Sequence, residues 1–595
     1  MNTLQKYEKY FYIIFVVGIL IYFPIFFNGF VWDDYPYILN NPQIHLFDFA
    51  SIFGPSYFNF GFFYRPIPDL YFTILYSFSG QHAFLYHLVQ LVLHITSSVL
   101  LFIFFLFFFS DSIAFFLTLI FLVHPINVES VAFIGATQSE LFFLPGIIAL
   151  LLSQKKVVSQ QRFLWIIVLL FLSALTKETG ILFFLLVVIY RYVFKLGKLK
   201  DFLVASVVCG FIYLLLRDVV GGVKFDSGFL LPKIIATFPL ILLNIPPIIF
   251  YYLKTFLYPS YLAIWQSWTI TTPTFSNFVI SLLACLLLLV LVVVFSLYLN
   301  GYNKKEVSVV QKKKKTKNTI QTQKNVLDQF IFFSIWFIIG IAILLQIPPL
   351  EMTVADRWFY FPIVGLLGMI GVVFEVFIPQ IKVNYKVYLY VAIIIIILLS
   401  IRSFIRTFDY KDNLTLYAHD SVNQVNDMYL MNAYVTELKN DNNINEEIQY
   451  LQSIISFQDS TLNQKITAYD YLGLAYEVKN EDSQAISSFE QAITLYTKNP
   501  NDINSSFAQI IYNNLVNVLN YDSRYKDILT IVTGNTLKRF PYDACLFGNV
   551  AIAQYNLGNQ QSAIDYASIA YKISHIKETE IIPPNPVITK MCSAN

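Results

Sequence analysis

The chain has 595 residues, of which 56% are hydrophobic, 17% aromatic and only 13% charged. A composition this apolar excludes an ordinary water-soluble protein and predicts a polytopic membrane protein. The formal net charge of +2 is too small to indicate a nucleic-acid partner.

About 11 apolar segments are predicted to cross a membrane as helices. Two of them, 111–123 and 140–153, are short for a hydrocarbon core of ~30 Å, so they require packing within a bundle. The segments in chain order are 10–27, 82–109, 111–123, 140–153, 163–176, 179–194, 201–217, 276–300, 327–346, 358–378 and 386–405.

Two further apolar stretches are predicted to associate with the membrane without crossing it. Residues 65–78 carry Pro66 and Pro68 before an aromatic run, which is typical of an interfacial helix. Residues 233–257 are interrupted by the run NIPP (244–247). Because proline removes helical hydrogen bonds, we expect two half-helices here.

Lysine and arginine positions predict the orientation, because short cytoplasmic loops carry an excess of positive charge. The most basic run, KKKKTK (312–317), belongs to a predicted cytoplasmic loop at 302–326. Further basic segments assigned to that face are 6–9, 155–162, 191–200 and 382–386. Alternation then places these regions on the exoplasmic face: 28–81, 124–139, 176–178, 218–275, 347–357 and the carboxyl-terminal region.

After Arg406 the composition becomes polar, which predicts a membrane domain at 1–406 and a soluble helical domain at 407–595. Residues 468–496 follow the pattern of a tetratricopeptide repeat, in which small residues let two helices approach. The matching positions are Tyr469, Leu472, Gly473, Tyr476, Ala485, Phe489 and Ala492. Weaker copies lie at 416–456, 515–541 and 547–573. The predicted fold class is all-α, a membrane helix bundle followed by an α-solenoid, with an unrelated helical bundle as the alternative for the second domain.

Polar residues in the predicted exoplasmic loops form the candidate site. Asp33 and Asp34 directly follow the first apolar segment, where two adjacent carboxylates are costly unless they are solvated or functional. The other candidates on the same predicted face are Arg65, His124, Glu129, Gln138, Glu140, Lys177, Glu178, Asp356 and Arg357.

This grouping of charges suits transfer from a lipid-linked phosphate donor. Arginine and lysine neutralise a departing phosphate, and a carboxylate removes the proton of an acceptor hydroxyl. Simpler explanations stay open: Lys177 and Glu178 could form an ion pair that closes a tight turn, and Arg357 could anchor a span at the headgroups. His94 is more often a packed residue than a metal ligand.

The sequence contains no cysteine and histidine spacing typical of zinc sites and no glycine-rich nucleotide loop. A cytoplasmic nucleotide-sugar donor is therefore disfavoured. No metal and no prosthetic group are expected.

Six motifs resemble a known family by their order along the chain: NGFVWDD (28–34), YRPI (64–67), YHLVQLVLH (86–94), HPINVESVAFI (124–134), ALTKETGI (174–181) and VADRWFYFP (354–362). The chain is similar to GT-C glycosyltransferases, and among them to the transmembrane and tetratricopeptide-repeat protein O-mannosyltransferases and their bacterial and archaeal relatives. Two positions depart from that pattern, because Gln90 stands where asparagine is usual and Gln138 where many relatives have arginine.

The resemblance implies roles for the candidate residues. Either Asp33 or Asp34 would be the base, and Arg65, Lys177, Glu178, Asp356 and Arg357 would contact the phosphate and sugar of the donor. His94, His124, Glu129, Gln138 and Glu140 would bind the acceptor or support the site.

The resemblance further implies inverting transfer of a monosaccharide, with mannose as one candidate, from a polyprenyl-phosphate donor to an acceptor hydroxyl, such as Ser or Thr of a protein held by the repeats. The partners would be the bilayer, the lipid-linked donor and an acceptor protein, with no nucleic acid. A bacterial inner membrane is favoured over the endoplasmic reticulum, with the site and repeats exoplasmic. Two rivals remain: a glycosyltransferase acting on a lipid-linked glycan or surface polysaccharide, and a non-enzymatic membrane scaffold.

Overall fold

A computed structural model describes residues 3–55, 63–222, 231–314, 325–347, 350–380, 385–423, 427–458, 460–499 and 505–574. Every regular element in this part of the chain is helical, which confirms the all-α fold class. The chain forms two compact units, Met1–Asn423 and Gln424–Asn595.

The first unit contains sixteen α-helices in the described ranges. They are α1 (Thr3–Tyr22), α2 (Phe49–Ile52), α3 (Pro66–Ser79), α4 (Ala83–Phe105), α5 (Asp111–Val123), α6 (Val128–Ala132), α7 (Gln138–Ser153), α8 (Gln160–Thr176), α9 (Ile181–Val193), α10 (Leu199–Leu215), α11 (Leu231–Leu257), α12 (Ile280–Lys314), α13 (Val326–Ala342), α14 (Pro362–Phe377), α15 (Tyr385–Asp409) and α16 (Asn413–Asn423). Short 3₁₀ or π turns lie at Phe23–Phe27, Tyr35–Leu39, Pro125–Asn127, Ile134–Thr137, Glu178–Gly180, Leu216–Val220, Phe275–Val279, Asp356–Tyr360 and Ile378–Gln380.

Eight helices within the described residues are long and apolar enough to cross a membrane, which indicates a membrane protein. A ninth span results if α5 and its bent continuation, Pro125–Ala132, cross the membrane as one broken span. Two further apolar helices, α8 and α13, are shorter. The segment predicted at 179–194 reduces to α9, whose 13 residues rise only ~20 Å. The count of about 11 spans stays a prediction.

The expectation of two half-helices at 233–257 is wrong, because α11 is one helix with Pro239, Pro246 and Pro247 inside it. Proline is tolerated in membrane helices where neighbouring groups satisfy the backbone. Separately, the Asn244 amide donates to Leu240 O at 2.8 Å and to Ile270 O at 3.1 Å, so it fastens α11 to the segment that follows it.

The predicted interfacial segment 65–78 is helical, as α3. The predicted basic loop at 302–326 is partly helical, since α12 continues to Lys314, and its residues 315–324 lie outside the described part of the chain.

The bundle has a central and a peripheral layer. The spans that contain α7 and α14 are 67% and 61% buried, whereas those that contain α10, α12 and α15 are 11%, 6% and 6% buried. Apolar helices that are covered so little by the rest of the protein expose their side chains to lipid. The candidate residues on α7 and beside α14 therefore belong to the protein interior.

Residues 407–423, which the sequence assigns to the second domain, pack with the first unit. Asp420 accepts a hydrogen bond from Arg406 Nη1 at 2.8 Å and from Ile264 N at 2.6 Å. Asn413 Oδ1 accepts from Trp32 N at 2.7 Å. The end of the first unit thus contacts the loop that carries Asp33.

The second unit contains α17 (Met428–Asn440), α18 (Ile444–Ser456), α19 (Leu462–Val478), α20 (Asp482–Lys498), α21 (Ser505–Tyr521), α22 (Tyr525–Ile531), α23 (Gly534–Arg539), α24 (Ala544–Asn556) and α25 (Gln560–Ser574). A Cβ atom at Gly473 would lie 2.5 Å from the Phe489 ring, so α19 and α20 approach closely at that glycine. Ala485, Phe489 and Ala492 are fully buried in this unit. These contacts agree with the packing positions read from the sequence.

Candidate functional site

The two adjacent aspartates lie in different surroundings. The Asp34 side chain is fully buried, and its oxygens accept hydrogen bonds from Val31 N at 2.9 Å and Gly135 N at 2.7 Å. The Asp33 carboxylate is partly exposed and makes no hydrogen bond or ion pair with any residue that the structure describes. Asp34 therefore joins two loops, and Asp33 is available to a ligand.

Burial raises the pKa of Asp33 to about 6, against the opposing attraction of Arg357. Burial also raises the pKa of Asp34 well above its usual range, although the two backbone hydrogen bonds act in the other direction. A carboxylate whose pKa lies just below neutral is ionised at pH 7 and can still accept a proton during a reaction.

The residue before Asp33 has an unusual backbone. Trp32 has φ = +50°, a left-handed conformation that bulky residues rarely adopt. Its ring packs against Phe133 and Trp265, at centroid distances of 5.4 and 6.0 Å. Strain of this kind persists only where the surrounding structure enforces it, and it concentrates at functional sites.

Arg65 forms the first cationic part of the site. It precedes α3, whose first residue is Pro66, and its Nη2 and Nε atoms donate to Glu178 Oε2 at 2.5 and 3.0 Å. Its Nη1 atom donates to Gln138 Oε1 at 2.6 Å. Although burial opposes ionisation, Arg65 lowers the pKa of Glu178, so both partners are charged.

Arg357 forms the second cationic part. Its Nη1 atom pairs with Glu129, whose other oxygen accepts from the Arg357 backbone N at 2.9 Å. Burial opposes the charge on Arg357, but Glu129 raises the pKa of the guanidinium. The guanidinium lies 5.2 Å from the centroid of the Trp32 ring, which brings it to the loop of Asp33.

Lys177 has no carboxylate partner within ion-pair distance among the described residues. Its Nζ atom donates to Ser139 Oγ at 3.4 Å and lies 5.8 Å from the centroid of the Phe142 ring. Burial, reinforced by repulsion from Arg65 and Arg357, lowers the pKa of Lys177 to about 7. Lys177 is thus an ammonium group that a bound anion would stabilise.

The first turn of α7 connects the three cationic residues. Gln138 accepts from Arg65, and Ser139 contacts both Lys177 Nζ and the Arg357 carbonyl oxygen, the latter at 3.5 Å. The amino end of a helix also carries a partial positive charge. We call Arg65, Lys177 and Arg357 the cation cluster. Together with the amino end of α7, the cluster is suited to bind an anion such as a phosphate.

Asp356 directly precedes Arg357 in the chain, and its side chain bonds to a residue outside the cation cluster. Its carboxylate is buried and accepts from the Tyr251 hydroxyl at 2.6 Å. The same hydroxyl accepts from Gln266 Nε2 at 2.5 Å. Burial raises the pKa of Asp356 well above its usual range, and the charge of nearby Glu129 adds to this.

Of the residues expected to bind an acceptor or to support the site, three have their polar atoms engaged by the protein. Glu129 holds Arg357. His94 contacts the Tyr360 hydroxyl and Leu122 O, both at 3.0 Å, and His124 contacts Phe256 O at 2.9 Å and Ile126 N at 3.2 Å. Such satisfied contacts fit support of the site and leave no free group for an acceptor. Glu140 is fully buried on α7, within electrostatic range of Lys177.

Several partners carry no signal in the sequence. Glu129 has no evident partner there, and nothing marks Ser139 or Tyr251 as part of the site. Ser139 does, however, directly follow Gln138, where many relatives have arginine, so that departure from the family pattern points to this part of the chain. The pairing of Glu129 with Arg357 joins residues 228 positions apart and has no local sequence signal.

Among the described residues, no group of three or more histidine, cysteine, aspartate or glutamate side chains is arranged to hold a metal ion.

No protein-family model matches the chain, and no curated protein matches it. Among solved structures, the crystal structure of MamA protein is similar over 29% of this chain and 87% of MamA, with 17% identity and a TM-score of 0.23. A similarity of this size assigns neither fold nor function.

We predict that Asp33→Asn and Asp34→Asn affect stability differently. Asparagine at 34 would oppose an NH₂ group to one of the two backbone N–H donors, which should cost ~1–3 kcal/mol of unfolding free energy. Asparagine at 33 breaks no bond and removes a charge that burial disfavours, so it should leave stability unchanged or raise it. The apparent melting temperatures of the two purified variants in detergent would test this. A drop in stability for Asp33→Asn equal to that for Asp34→Asn would contradict the assignment.

Proposed function

We propose that the protein is a membrane glycosyltransferase that moves a monosaccharide from a polyprenyl-phosphate donor to an acceptor hydroxyl, with inversion at the anomeric carbon. One observation carries the proposal: an unbonded carboxylate, Asp33, and an unpaired cation, Lys177, both lie within electrostatic range of Arg357. General-base transfer from a phosphate requires one group of each kind.

Asp33 is the proposed base, and Asp34 positions the loop that carries it. A base must be accessible to the acceptor and must be ionised before it accepts a proton. Asp33 meets both requirements, since its carboxylate is unbonded and its pKa is raised to about 6. Asp34 is buried and bonded to Val31 and Gly135, so it cannot reach a substrate without breaking those bonds.

The cation cluster is the proposed phosphate site. Arg65 and Arg357 are already paired with Glu178 and Glu129, which leaves Lys177 to compensate the single charge of a donor phosphodiester. When the sugar leaves, the phosphate becomes a monoester and gains negative charge. The two guanidinium groups can share that added charge, and an interaction that strengthens as charge develops lowers the barrier.

In the proposed reaction, the acceptor oxygen attacks the anomeric carbon while its proton passes to the Asp33 carboxylate. The bond between the anomeric carbon and the phosphate oxygen breaks, and its electron pair leaves with polyprenyl phosphate. Attack and departure take place on opposite faces of the sugar, which gives inversion. The step requires no oxidant or reductant.

The donor half of the site adjoins a lipid-facing helix. Tyr213, on peripheral α10, lies within electrostatic range of both Arg65 and Glu178. The rest of α10 is largely exposed, with 11% of its span buried. A lipid-linked donor could therefore place its phosphate at Arg65 while its chain stays in the bilayer. This supports a polyprenyl donor over a water-soluble nucleotide sugar.

The proposal includes the membrane arrangement predicted from hydropathy and from the lysine and arginine positions: about 11 spans, with the site and the second unit on the exoplasmic side. It also includes a tetratricopeptide-repeat solenoid in the second unit that binds an acceptor protein, because concave repeat surfaces bind extended partners. Mannose is the candidate sugar, on the resemblance to O-mannosyltransferases.

An acceptor on a lipid-linked glycan or a surface polysaccharide is the second candidate, with the same chemistry at Asp33. The scaffold alternative is disfavoured, because burial makes the charges of Lys177 and Asp33 costly in folding free energy and neither has a bonded ion-pair partner among the described residues. A scaffold would have no use for two such charges.

We predict that Asp33→Asn abolishes transfer, with a loss of roughly 10²–10⁴-fold in rate. Glycan analysis of cells that carry the variant would reveal the affected acceptor, whether glycoprotein, glycolipid or polysaccharide. Asp441→Asn, which removes an exposed carboxylate in the second unit, is the matched control and should retain full activity. Unchanged glycosylation in an expressed Asp33→Asn variant would favour a scaffold.

We predict a bell-shaped pH dependence of kcat/KM. Activity should rise through about pH 6 as Asp33 loses its proton, and fall above about pH 7 as Lys177 loses its proton. Lys177→Arg should retain the acidic limb and extend activity to higher pH, because a guanidinium stays protonated. Loss of the acidic limb in Lys177→Arg, or an unmoved alkaline limb, would contradict these roles.

We predict that a chain ending at Asn423 retains transfer to a short soluble acceptor and loses transfer to folded protein acceptors. This end point keeps the contacts of Asp420 with Arg406 and Ile264. Full activity on protein acceptors without the second unit would exclude acceptor binding by the repeats.

A further inference from the structure

Two basic loops lie at the ends of α7, α8 and α9 that point away from Asp33. One loop, 154–159, joins α7 to α8, and the other, 194–198, joins α9 to α10. The 16 residues of α7 rise ~24 Å from Gln138 to this end. That rise is close to the thickness of a hydrocarbon core, so the loops lie at the level of the other headgroup layer.

Arg191 holds the two loops together. Its fully buried guanidinium donates to Ser153 O at 2.7 Å and Lys155 O at 3.3 Å in one loop region, and its Nε atom donates to Gly197 O at 2.7 Å in the other. Because this arginine bonds only to carbonyl oxygens, it adds positive charge to the loops without a carboxylate to balance it.

Six further cationic side chains surround this point, and none makes an ion pair with a described residue. They are Lys155, Lys156, Arg162, Lys195, Lys198 and Lys200. The acidic neighbours are Asp201, in the first turn of α10, and Asp328, which lies within electrostatic range of Lys195. Positive charge is therefore in clear excess at this end.

Two of the lysines occupy strained backbone positions. Lys195 and Lys198 have φ = +54° and +60°, in the left-handed region. Glycine, and to a lesser degree asparagine, would occupy these positions at lower cost. The loop nevertheless has an exposed lysine at both positions, on either side of Gly197.

An open pocket with a volume of about 550 Å³ lies in this basic region. Lys155, Arg162 and Trp165 line it, together with Val157, whose side chain is 83% exposed. A stripe of exposed apolar side chains then continues from Trp165 along α8, through Val168 and Leu172. These residues are spaced three and four apart, so they lie on one face of the helix.

We propose that this pocket binds the phosphate headgroup of an anionic phospholipid, with an acyl chain lying along the stripe on α8. Lys155 and Arg162 neutralise the phosphate, and the lysines of the second loop extend the positive field over it. Trp165 takes the position at the boundary between headgroup and hydrocarbon that its amphipathic ring favours. The stripe distinguishes a lipid from a free phosphate, which would use only the cations.

The site is separate from the proposed transfer site, and its consequence is structural. A lipid bound here contacts α8, which leads to Lys177, and the loop that joins α7 to α8. Basic pockets at the ends of membrane helices bind anionic headgroups in this way.

The test is retention of lipid by the full chain, measured by native mass spectrometry after purification from nanodiscs that contain phosphatidylglycerol and phosphatidylcholine. The wild type should retain phosphatidylglycerol selectively. The double variant Lys155→Gln with Arg162→Gln should retain at least about tenfold less, since each cation near an anionic surface contributes to affinity. The matched control, Lys526→Gln with Lys538→Gln, removes two exposed lysines of the second unit and should behave as wild type.

Three results would overturn the proposal: equal retention of both lipids, an equal loss in the control, or displacement of phosphatidylglycerol by millimolar inorganic phosphate. The last result would indicate a site for free anions.

A second variant keeps the test informative if the first is poorly folded. Lys198→Gly relieves the left-handed strain, so it should raise the melting temperature in lipid-free detergent while it lowers phosphatidylglycerol retention. A melting temperature that rises with unchanged lipid retention would contradict a role for the strained lysine.

Discussion

The structure depends on an imbalance of charge around the first turn of α7. Arg65, Lys177 and Arg357 converge there, and within the described part of the chain only the two arginines have a bonded carboxylate. Each pair joins distant parts of the chain, Arg65 with Glu178 and Arg357 with Glu129, so the pairs close the loops around the site. Because a charge away from water is costly when unpaired, the remaining ammonium group favours an anionic ligand.

The acidic pair at the first loop is divided by the same constraint. Asp34 accepts from Val31 N with one oxygen, which closes its own loop, and from Gly135 N with the other, which joins that loop to the next. Between Val31 and Asp34, Trp32 takes its left-handed conformation beside Arg357. Asp33 has no bonded side-chain partner among the described residues. The adjacent carboxylates thus have different roles although they are chemically identical, because only that of Asp34 faces backbone N–H groups.

The two ends of the bundle use cations differently. At the Asp33 end, cations are mostly paired and enclosed, which suits a ligand that must be positioned for chemistry. At the other end, Lys155, Lys195 and Lys198 are exposed and form no ion pair with a described residue, and the Arg191 guanidinium holds their loops together. An exposed cationic surface next to apolar side chains suits a lipid headgroup, which needs charge and an interface more than exact geometry. The helices α7, α8 and α9 connect these two ends.

Composition and hydropathy were sufficient to determine an all-helical membrane protein, because burying apolar surface in lipid requires helices whose backbone groups bond internally. Local motifs were also sufficient to identify Asp33, Arg65, Lys177 and Arg357 as candidates. The sequence predicted a break in α11 that the structure does not have, because Pro239, Pro246 and Pro247 all lie inside one continuous helix. It also gave no sign that Asp356 bonds to Tyr251. Only the tertiary structure decided which carboxylate is bonded, which arginine has which partner and which lysine has none. Those outcomes depend on contacts between residues far apart in the chain, and local sequence carries no record of such contacts.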